Sequence, residues 1–172
     1  MLDTFKQLIA NQYEAVFCTL NACIDRCPDS AWHAPVRDHL FCQSVFHALF
    51  YADFYLGQNQ QPFRQQPFHR NNQQFFGDYE ELEDRKPELR YDKAPIKKYL
   101  EHCREKAAQV LAAETAETLA ARSGFEWLAF SRAEVHVYNI RHLQHHAAQL
   151  SLRLRIDAGT DVPWVKSGWR QV

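Results

Sequence analysis

The amino-acid sequence predicts an all-α protein, a four-helix bundle whose helices are joined by long connections. Apolar residues recur at steps of three and four along much of the 172-residue chain, which places them on one face of an α-helix. The alternation of apolar and polar residues that is typical of strands is nearly absent, and only five glycines occur. Four long segments also carry helix start or stop signals, so we expect four helices with two long crossing connections between them.

The first two helices are predicted from their apolar residues and their ends. The first begins near Leu2 and ends near Cys27. A loop then leads to Asp38, which is expected to be the N-cap of the second helix. The second helix, HLFCQSVFHALFYADFYLG, is apolar on most sides and ends at Gly57. A helix of this kind is expected in the middle of a bundle.

The second half of the chain predicts one long connection and two more helices. The Gln/Asn-rich stretch QNQQPFRQQPFHRNNQQFFG is expected to be irregular and to line a site, and DYEELEDRKPELRYDK to form a short exposed helix. Asp92 is expected to cap a third helix with Pro95 in its first turn. The capping box SRAE at 131–134 starts a fourth helix that runs to about Ile156, with Gly159 just beyond it. The tail DVPWVKSGW is expected to fold back.

Composition excludes several classes of protein. The net charge is −1, so the chain lacks the excess of Lys and Arg that binds nucleic acids, and no nucleic-acid partner is expected. No apolar run is long enough to cross a bilayer, and the N-terminal segment carries acids where a signal peptide would not. Five cysteines, an odd number, favour reduced thiols. We therefore expect one cytoplasmic domain over residues 1–172, with no membrane partner.

Three histidines lie close together in the fourth helix. At about 100° per residue, His142 and His146 are about 40° apart on the flank of the apolar stripe, whereas His145 points roughly away from it. Polar side chains beside a core form either a hydrogen-bonded network or a site, because unpartnered groups there cost about 1–3 kcal/mol each. Two imidazoles at i and i+4 can also converge on one ion.

His47 is the best candidate for a third ligand. It lies in the apolar segment SVFHALFYADF of the second helix, where an imidazole must be either hydrogen-bonded or coordinating. If it faces His142 and His146, the three form a three-histidine site with an open fourth position, which is typical of a reactive Zn²⁺-type site. The alternative for His47 is a core histidine that is bonded to an ordinary acceptor.

Other polar residues have weaker predicted roles. His33 and His39 are expected near the mouth of the site, His69 in a loop, His102 on the surface and His136 packed in the core. Asn139 and Gln149 either orient a ligand or make ordinary hydrogen bonds. Arg64 and Arg70, with the aromatic residues of their loop, either receive an anionic or thiol-bearing substrate or are simply solvated. Cys23 and Cys27 continue the apolar stripe of the first helix. Cys42 lies about 140° round its helix from His47, so a shared ligand sphere is not expected. No catalytic acid or base is assigned, since Glu134 and Asp53 are too far along their helices.

The histidine pattern resembles a known family. The spacing H-x-x-H-H followed by AAQLSLRLR resembles the last helix of DinB-like proteins, whose core is H-x-x-H-H-x-x-Q. His47, after a loop that contains Trp32, is similar to the first ligand position of that family, and YDKAPIKKYLEHCREK is similar to its third helix. The resemblance implies a DinB-like four-helix bundle, often a homodimer, with a divalent metal on His47, His142 and His146.

The resemblance also implies a chemistry. Characterised DinB-like proteins include S-transferases and isomerases that use a small thiol, so it implies a Zn- or Ni-dependent thiol S-transferase with a small-molecule substrate. Hydrolysis by metal-activated water is the other chemistry. Two alternatives are a non-catalytic stress-response bundle that binds metal or small molecules, and a structural dimeric bundle. Ala147 and Ala148 replace the Arg-Gly common in the family, and WHAPVRDHL lacks its Gly-rich run, so substrate identity does not carry over.

Overall fold

Four long α-helices form the bundle that was predicted. The computed structural model describes residues 1–36 and 39–169. The long helices are α1 (Leu2–Arg26), α3 (Phe41–Leu56), α6 (Lys93–Ala113) and α8 (Arg132–Ala158). The shorter helices are α2 (Asp29–Trp32), α4 (Pro67–Asn71), α5 (Gln73–Phe76) and α7 (Ala116–Ala120). Strands β1 (Pro35–Val36) and β2 (His39–Leu40) form one small antiparallel pair. The all-α prediction is confirmed.

The packing order of the long helices shows which connections cross the ends of the bundle. Both α1 and α3 pack against α6 and against α8. Because α1 and α3 each share the same two neighbours, they lie diagonally across the bundle, and so do α6 and α8. The α1–α3 and α6–α8 connections therefore cross the ends of the bundle, whereas the connection from α3 to α6 joins adjacent helices.

The ends of the first three long helices lie close to the predicted ones. Helix α1 ends at Arg26, and α3 ends at Leu56 with Gly57 directly after it. Asp38, the predicted N-cap of α3, lies outside the described residues. The residue at the N-cap position is Leu40, whose backbone N–H donates to Gln43 Oε1 at 2.7 Å. Asp92 directly precedes α6, as predicted, but its side chain accepts no capping hydrogen bond.

The capping signals of α8 are confirmed. The Ser131 backbone N–H donates to Glu134 Oε2 at 2.8 Å, and the Glu134 N–H donates to Ser131 Oγ at 3.3 Å. This reciprocal pair satisfies two donors that a helix N-terminus otherwise leaves free. At the other end Gly159 has φ +60°, the left-handed conformation that glycine adopts without strain. Local capping interactions therefore fix both ends of α8, the helix that carries His142, His145 and His146.

The connection between α3 and α6 is better anchored than predicted. His69 was predicted to lie in a loop, but it belongs to the short helix α4 and is fully buried. Its Nε2–H donates to Asp53 Oδ2 of α3 at 2.7 Å, and the hydroxyl of Tyr99 donates to the same oxygen at 2.9 Å. Burial alone would raise the pKa of Asp53, but the His69 hydrogen bond and the charge of Lys106 lower it well below its ordinary value. This network fixes the middle of the connection to the core.

The charged stretch before α6 does not form the exposed helix that was predicted. Only a single 3-10 turn occurs, at Glu80–Leu82, and Glu80 is buried. Its carboxylate accepts the backbone N–H groups of Glu88 at 2.9 Å and Leu89 at 3.1 Å. Glu80 therefore organises this segment from the inside, which an exposed helix would not require.

A buried arginine joins three helix ends. The Arg132 guanidinium donates to the carbonyls of Tyr55, Leu56 and Gly57 at 2.8–3.0 Å, and these carbonyls end α3. It also donates to Glu114 Oε1, just past the end of α6, at 2.9 Å. Because Arg132 is the first residue of α8, one side chain ties α3, α6 and α8 together.

His136 makes the stability of the fold dependent on pH. Burial, and then the charge of Arg132, lower the pKa of His136 from 6.5 to about 4. Between these two values the unfolded chain binds a proton that the folded chain does not. Stability should therefore be lost as the pH falls from about 6.5 towards about 4, with a contribution of up to about 1.4 kcal/mol per pH unit. Urea unfolding of metal-free protein across this range should show a shallower pH dependence for His136→Gln. His39→Gln, at an exposed site, should keep the wild-type slope. Equal slopes for wild type and His136→Gln would contradict this prediction.

The C-terminal tail partly folds back, as predicted. The Arg104 guanidinium lies 4.6 Å from the ring centre of Trp169, and Gly168 lies against the backbone of Glu14. Trp164, in contrast, is 87% exposed. None of the described helices combines the length and apolarity needed to cross a bilayer.

Candidate metal centre

Adjacent helices α3 and α8 bring together the three histidines that were predicted as ligands. His47, His142 and His146 each offer a ring nitrogen, and these nitrogens all lie within 4.8 Å of one another. The Nε2 atoms of His142 and His146 are 3.1 Å apart, and the His47 ring centre is 5.5 Å and 4.7 Å from those two rings. The cluster therefore combines two histidines of one helix with one from its neighbour.

Helical periodicity explains why these imidazoles converge. On α8, the buried Leu143 and Ala147 face the core, and the half-buried His142 and His146 lie one turn apart on the adjoining flank. His145 is exposed, as predicted, and pairs with Gln149. Packing of the apolar stripe thus aims two imidazoles at α3 and leaves the third in solvent.

Glu81 fixes the orientation of His47. Its Oε2 lies 2.7 Å from His47 Nδ1, so the carboxylate accepts the Nδ1–H and Nε2 is the ring nitrogen that remains available to a metal ion. A carboxylate that holds a histidine in this tautomer is a frequent partner of metal-ligating imidazoles. Glu81 was not among the predicted site residues, because it is one of several acids in a charged stretch and nothing local distinguishes it.

Tyr51 supports the same arrangement. Its hydroxyl donates to the backbone carbonyl of Glu81 at 2.8 Å. Its ring centre is 4.9 Å from that of His47 and 5.6 Å from that of His142. Tyr51 therefore packs against two of the imidazoles while it holds the segment that carries the carboxylate.

The charge state of the α8 histidines suits metal binding. Burial, followed by the neighbouring imidazoles, lowers the pKa of His142 to about 4 and that of His146 to about 3. Both are neutral near pH 7, which is the form that coordinates metal ions. His142 Nδ1 is buried and has no hydrogen-bond partner within the described part of the chain, whereas Nε2 faces His146.

The donor set fits a divalent transition metal. Two nitrogens that each lie 2.0–2.1 Å from a tetrahedral Zn²⁺ are about 3.3 Å apart, close to the 3.1 Å between His142 and His146. Neutral imidazoles suit several first-row metals, so the ligands alone do not select one. Three nitrogen donors also leave coordination positions open to a small molecule.

The other predicted site residues differ in how they relate to the cluster. Asn139 donates to the carbonyl of Ala52 at 2.9 Å, an ordinary hydrogen bond. Gln149 lies 3.0 Å from His145 and also hydrogen-bonds to the side chain of His146, so it contacts one of the ligand candidates. His33 lies 3.5 Å from Cys42 Sγ, and His39 is exposed. The positions of Asn139 and His33 are therefore explained by contacts with their immediate neighbours.

The structure also places the remaining histidines, cysteines and arginines for which a role was predicted. His136 is buried and Cys23 and Cys27 are buried free thiols, as predicted. His102 is half-buried and stacks on Phe68 at 4.1 Å, so its assignment to the surface was wrong. The Arg64 guanidinium lies 4.6 Å from the ring centre of Tyr79, and Arg70 is exposed.

Removing the Glu81 carboxylate should weaken metal binding. We expect Glu81→Ala to lower the affinity for Zn²⁺ about 10–100-fold, because His47 loses the acceptor that sets its tautomer and ring orientation. Competition with a chromophoric chelator measures this change. Glu105→Ala is the control, since Glu105 is an exposed glutamate of α6, a helix that carries none of the three histidines. Equal affinities of Glu81→Ala and wild type would show that the 2.7 Å contact has no role in metal binding.

Comparison with known proteins agrees with this description. A family model described as the DinB superfamily matches residues 12–150. The match includes all of α3 and α6 and most of α8, and with them His47, His142 and His146. No curated protein and no solved structure gives a significant match. Because the family model covers well over half of the chain, the protein belongs to the DinB superfamily.

Proposed function

We propose that the protein holds one divalent metal ion on His47, His142 and His146 and is a metal-dependent enzyme, a small-thiol-dependent S-transferase. The observation that supports this proposal is the convergence of three ring nitrogens within 4.8 Å. When bound, the metal supplies a positive charge that favours loss of a proton from a thiol or water beside it. Zn²⁺ and Ni²⁺ are the proposed ions.

The chain's own residues supply binding and orientation. Glu81 holds His47 with its Nε2 available to a metal ion, and Tyr51 packs against His47 and His142. The half-buried positions of His142 and His146 leave one side of the cluster accessible. A substrate thiol can therefore approach the cluster while the imidazoles stay fixed.

A thiol-transfer assay tests this function. Metal-loaded protein is given a panel of small thiols and a chlorodinitrobenzene as electrophile. In the measured reaction the thiol sulfur bonds to the ring carbon, chloride leaves, and the thiol proton passes to solvent. We expect a rate that requires the metal, is lost in His47→Ala, and is kept in His145→Ala. If one ion binds and no thiol reacts faster than in buffer, the enzyme proposal fails and the non-catalytic binding protein is favoured.

We also propose a homodimer of single-domain subunits in the cytoplasm. Exposed apolar side chains on α8, Leu152 at 54% and Ile156 at 71%, support a second copy as partner. The five free cysteines support a reducing compartment. Sedimentation of wild type and of Ile156→Lys tests the dimer, and a monomeric wild-type protein would exclude it.

A further inference from the structure

A cavity of about 450 Å³ lies beside the three histidines. We call it the aromatic cavity, and it is lined by residues 51, 54, 55, 60, 81–84 and 127. Two of these residues, Tyr51 and Glu81, contact His47 directly. The cavity and the candidate metal centre therefore share a wall, and a molecule in the cavity lies next to the cluster.

Four aromatic side chains line this cavity. Phe54 and Tyr55 are buried and form its floor, with ring centres 5.5 Å apart. Trp127 stacks on Phe54 at 6.0 Å with an interplanar angle of 18°, yet it remains 55% exposed. Tyr51 completes the set on the side of the histidines. Aromatic faces carry negative electrostatic potential and attract a cation within about 6 Å of the ring centre.

The charged groups of the cavity all have one sign. Glu81, Glu83 and Asp84 line it, and no Lys, Arg or His is found among the described residues of the lining. Glu81 accepts the Nδ1–H of His47 and is the carboxylate of the lining nearest to the cluster. Arg85, which is not part of the lining, partly offsets Glu83 through a 2.7 Å contact. The aromatic walls and the carboxylates thus favour the same kind of ligand.

An adjoining cavity shows that the negative charge is confined to one end of a longer groove. This second cavity, about 540 Å³ in volume, shares Gln60, Leu82 and Trp127 with the first. It is lined by one charge of each sign, Arg64 and Glu126. The groove is therefore balanced at its far end and acidic at the end next to the histidines.

We propose that the aromatic cavity binds a cationic nitrogen group, a primary ammonium attached to a short apolar or aromatic carbon chain. Applied to the substrate, the inference rests on the proposed function. It then means that the thiol or its acceptor carries an amine near the reacting atom, and that anionic thiols bind less well. As a statement about binding it is independent of the metal, because the rings and carboxylates belong to the chain. The carboxylates also offset the positive charge of an ion on the three imidazoles, so an ammonium group is not repelled from the groove.

Binding of a small ammonium compound to metal-free protein tests the proposal. Phenethylamine, which is cationic at pH 7, is compared by calorimetry with the neutral phenethyl alcohol and the anionic phenylpropionate. We expect saturable binding of the amine that is at least about 10-fold tighter than binding of the other two. Trp127 provides a second signal, because a ligand in the cavity should change its fluorescence and Trp127→Phe should remove that change.

Two variants locate the binding site. The double variant Glu83→Gln/Asp84→Asn should weaken phenethylamine about 10-fold with little change in phenethyl alcohol binding. Asp3→Asn/Glu105→Gln removes two exposed carboxylates elsewhere and should bind the amine like wild type. Trp127→Leu should weaken the amine, whereas Trp127→Phe should retain it because the aromatic face is kept. Circular dichroism shows whether each variant is folded.

The outcomes separate this inference from the proposed function. Equal affinity for amine and alcohol, or unchanged binding in Glu83→Gln/Asp84→Asn, would overturn the cation site and leave the thiol assay unaffected. Selective amine binding without thiol turnover would support the cavity and contradict the S-transferase. Faster turnover of anionic than of amine-bearing thiols would overturn the statement about substrate even where the metal-dependent activity is found.

Discussion

Metal-free protein titrated with Zn²⁺ or Ni²⁺ is expected to bind one ion per chain, and His142→Ala is expected to weaken that binding more than about 100-fold. Removing a residue that only supports a ligand is expected to lower metal affinity about 10–100-fold. The loss in His142→Ala is expected to be larger, because the coordinating nitrogen itself is removed. His47→Ala and His146→Ala should have the same effect, since each imidazole supplies one of three donors. Calorimetry and metal analysis of untagged protein after gel filtration measure both stoichiometry and affinity.

His145→Ala is the matched control for this experiment. His145 adjoins His146 in the sequence and is exposed, and its ring lies edge-to-face against that of His146 at 5.2 Å, but it is not one of the three converging donors. We expect its metal affinity to stay within about twofold of wild type, because removing an exposed side chain that supplies no donor has a small effect. A protein that binds no ion, or that loses binding equally in His145→Ala, would contradict a centre built on these three histidines.

Arg132→Met is expected to destabilise the fold by about 3–5 kcal/mol. The substitution leaves the buried Glu114 carboxylate without its main cation and frees three carbonyls at the end of α3. Unpaired buried charges are among the few causes of losses this large. Urea unfolding at pH 7, followed by circular dichroism, measures the free energy of unfolding.

Two further variants identify the cause of that loss. Arg141→Met removes an exposed arginine of the same helix, whose only described aromatic contact is with Tyr138 at 5.5 Å, and should cost less than about 1 kcal/mol. The double variant Arg132→Met/Glu114→Gln should recover part of the loss, because it no longer buries an unpaired charge. A loss below about 1 kcal/mol in Arg132→Met would show that the buried contacts of Arg132 contribute little.

The long helices and the ligand candidates could be predicted because their signals are local. Helix α8 begins and ends where Ser131, Glu134 and Gly159 indicate, since caps act within one turn. The direction of His142 and His146 follows from the helical repeat once the apolar stripe is known. The isolated position of His47 in an apolar helix supplied the third candidate.

The segments around the site could not be predicted in the same way. His69 is buried because it meets Asp53, which is distant in the sequence, and Glu81 matters because it meets His47. Neither contact has a periodic signature, and a Gln/Asn-rich or charged stretch suggests solvent. The four-helix frame is thus encoded in short-range patterns, whereas the surroundings of the histidines depend on how one connection packs.

In the turn at residues 80–84, neighbouring side chains have different roles, some structural and some facing the groove. Glu80 is buried and anchors the backbone, and the next residue, Glu81, holds His47. Glu83 and Asp84 also line the groove and are exposed, so they can be exchanged at small cost to folding. Single substitutions at these two positions can therefore change the charge of the groove without repacking the bundle.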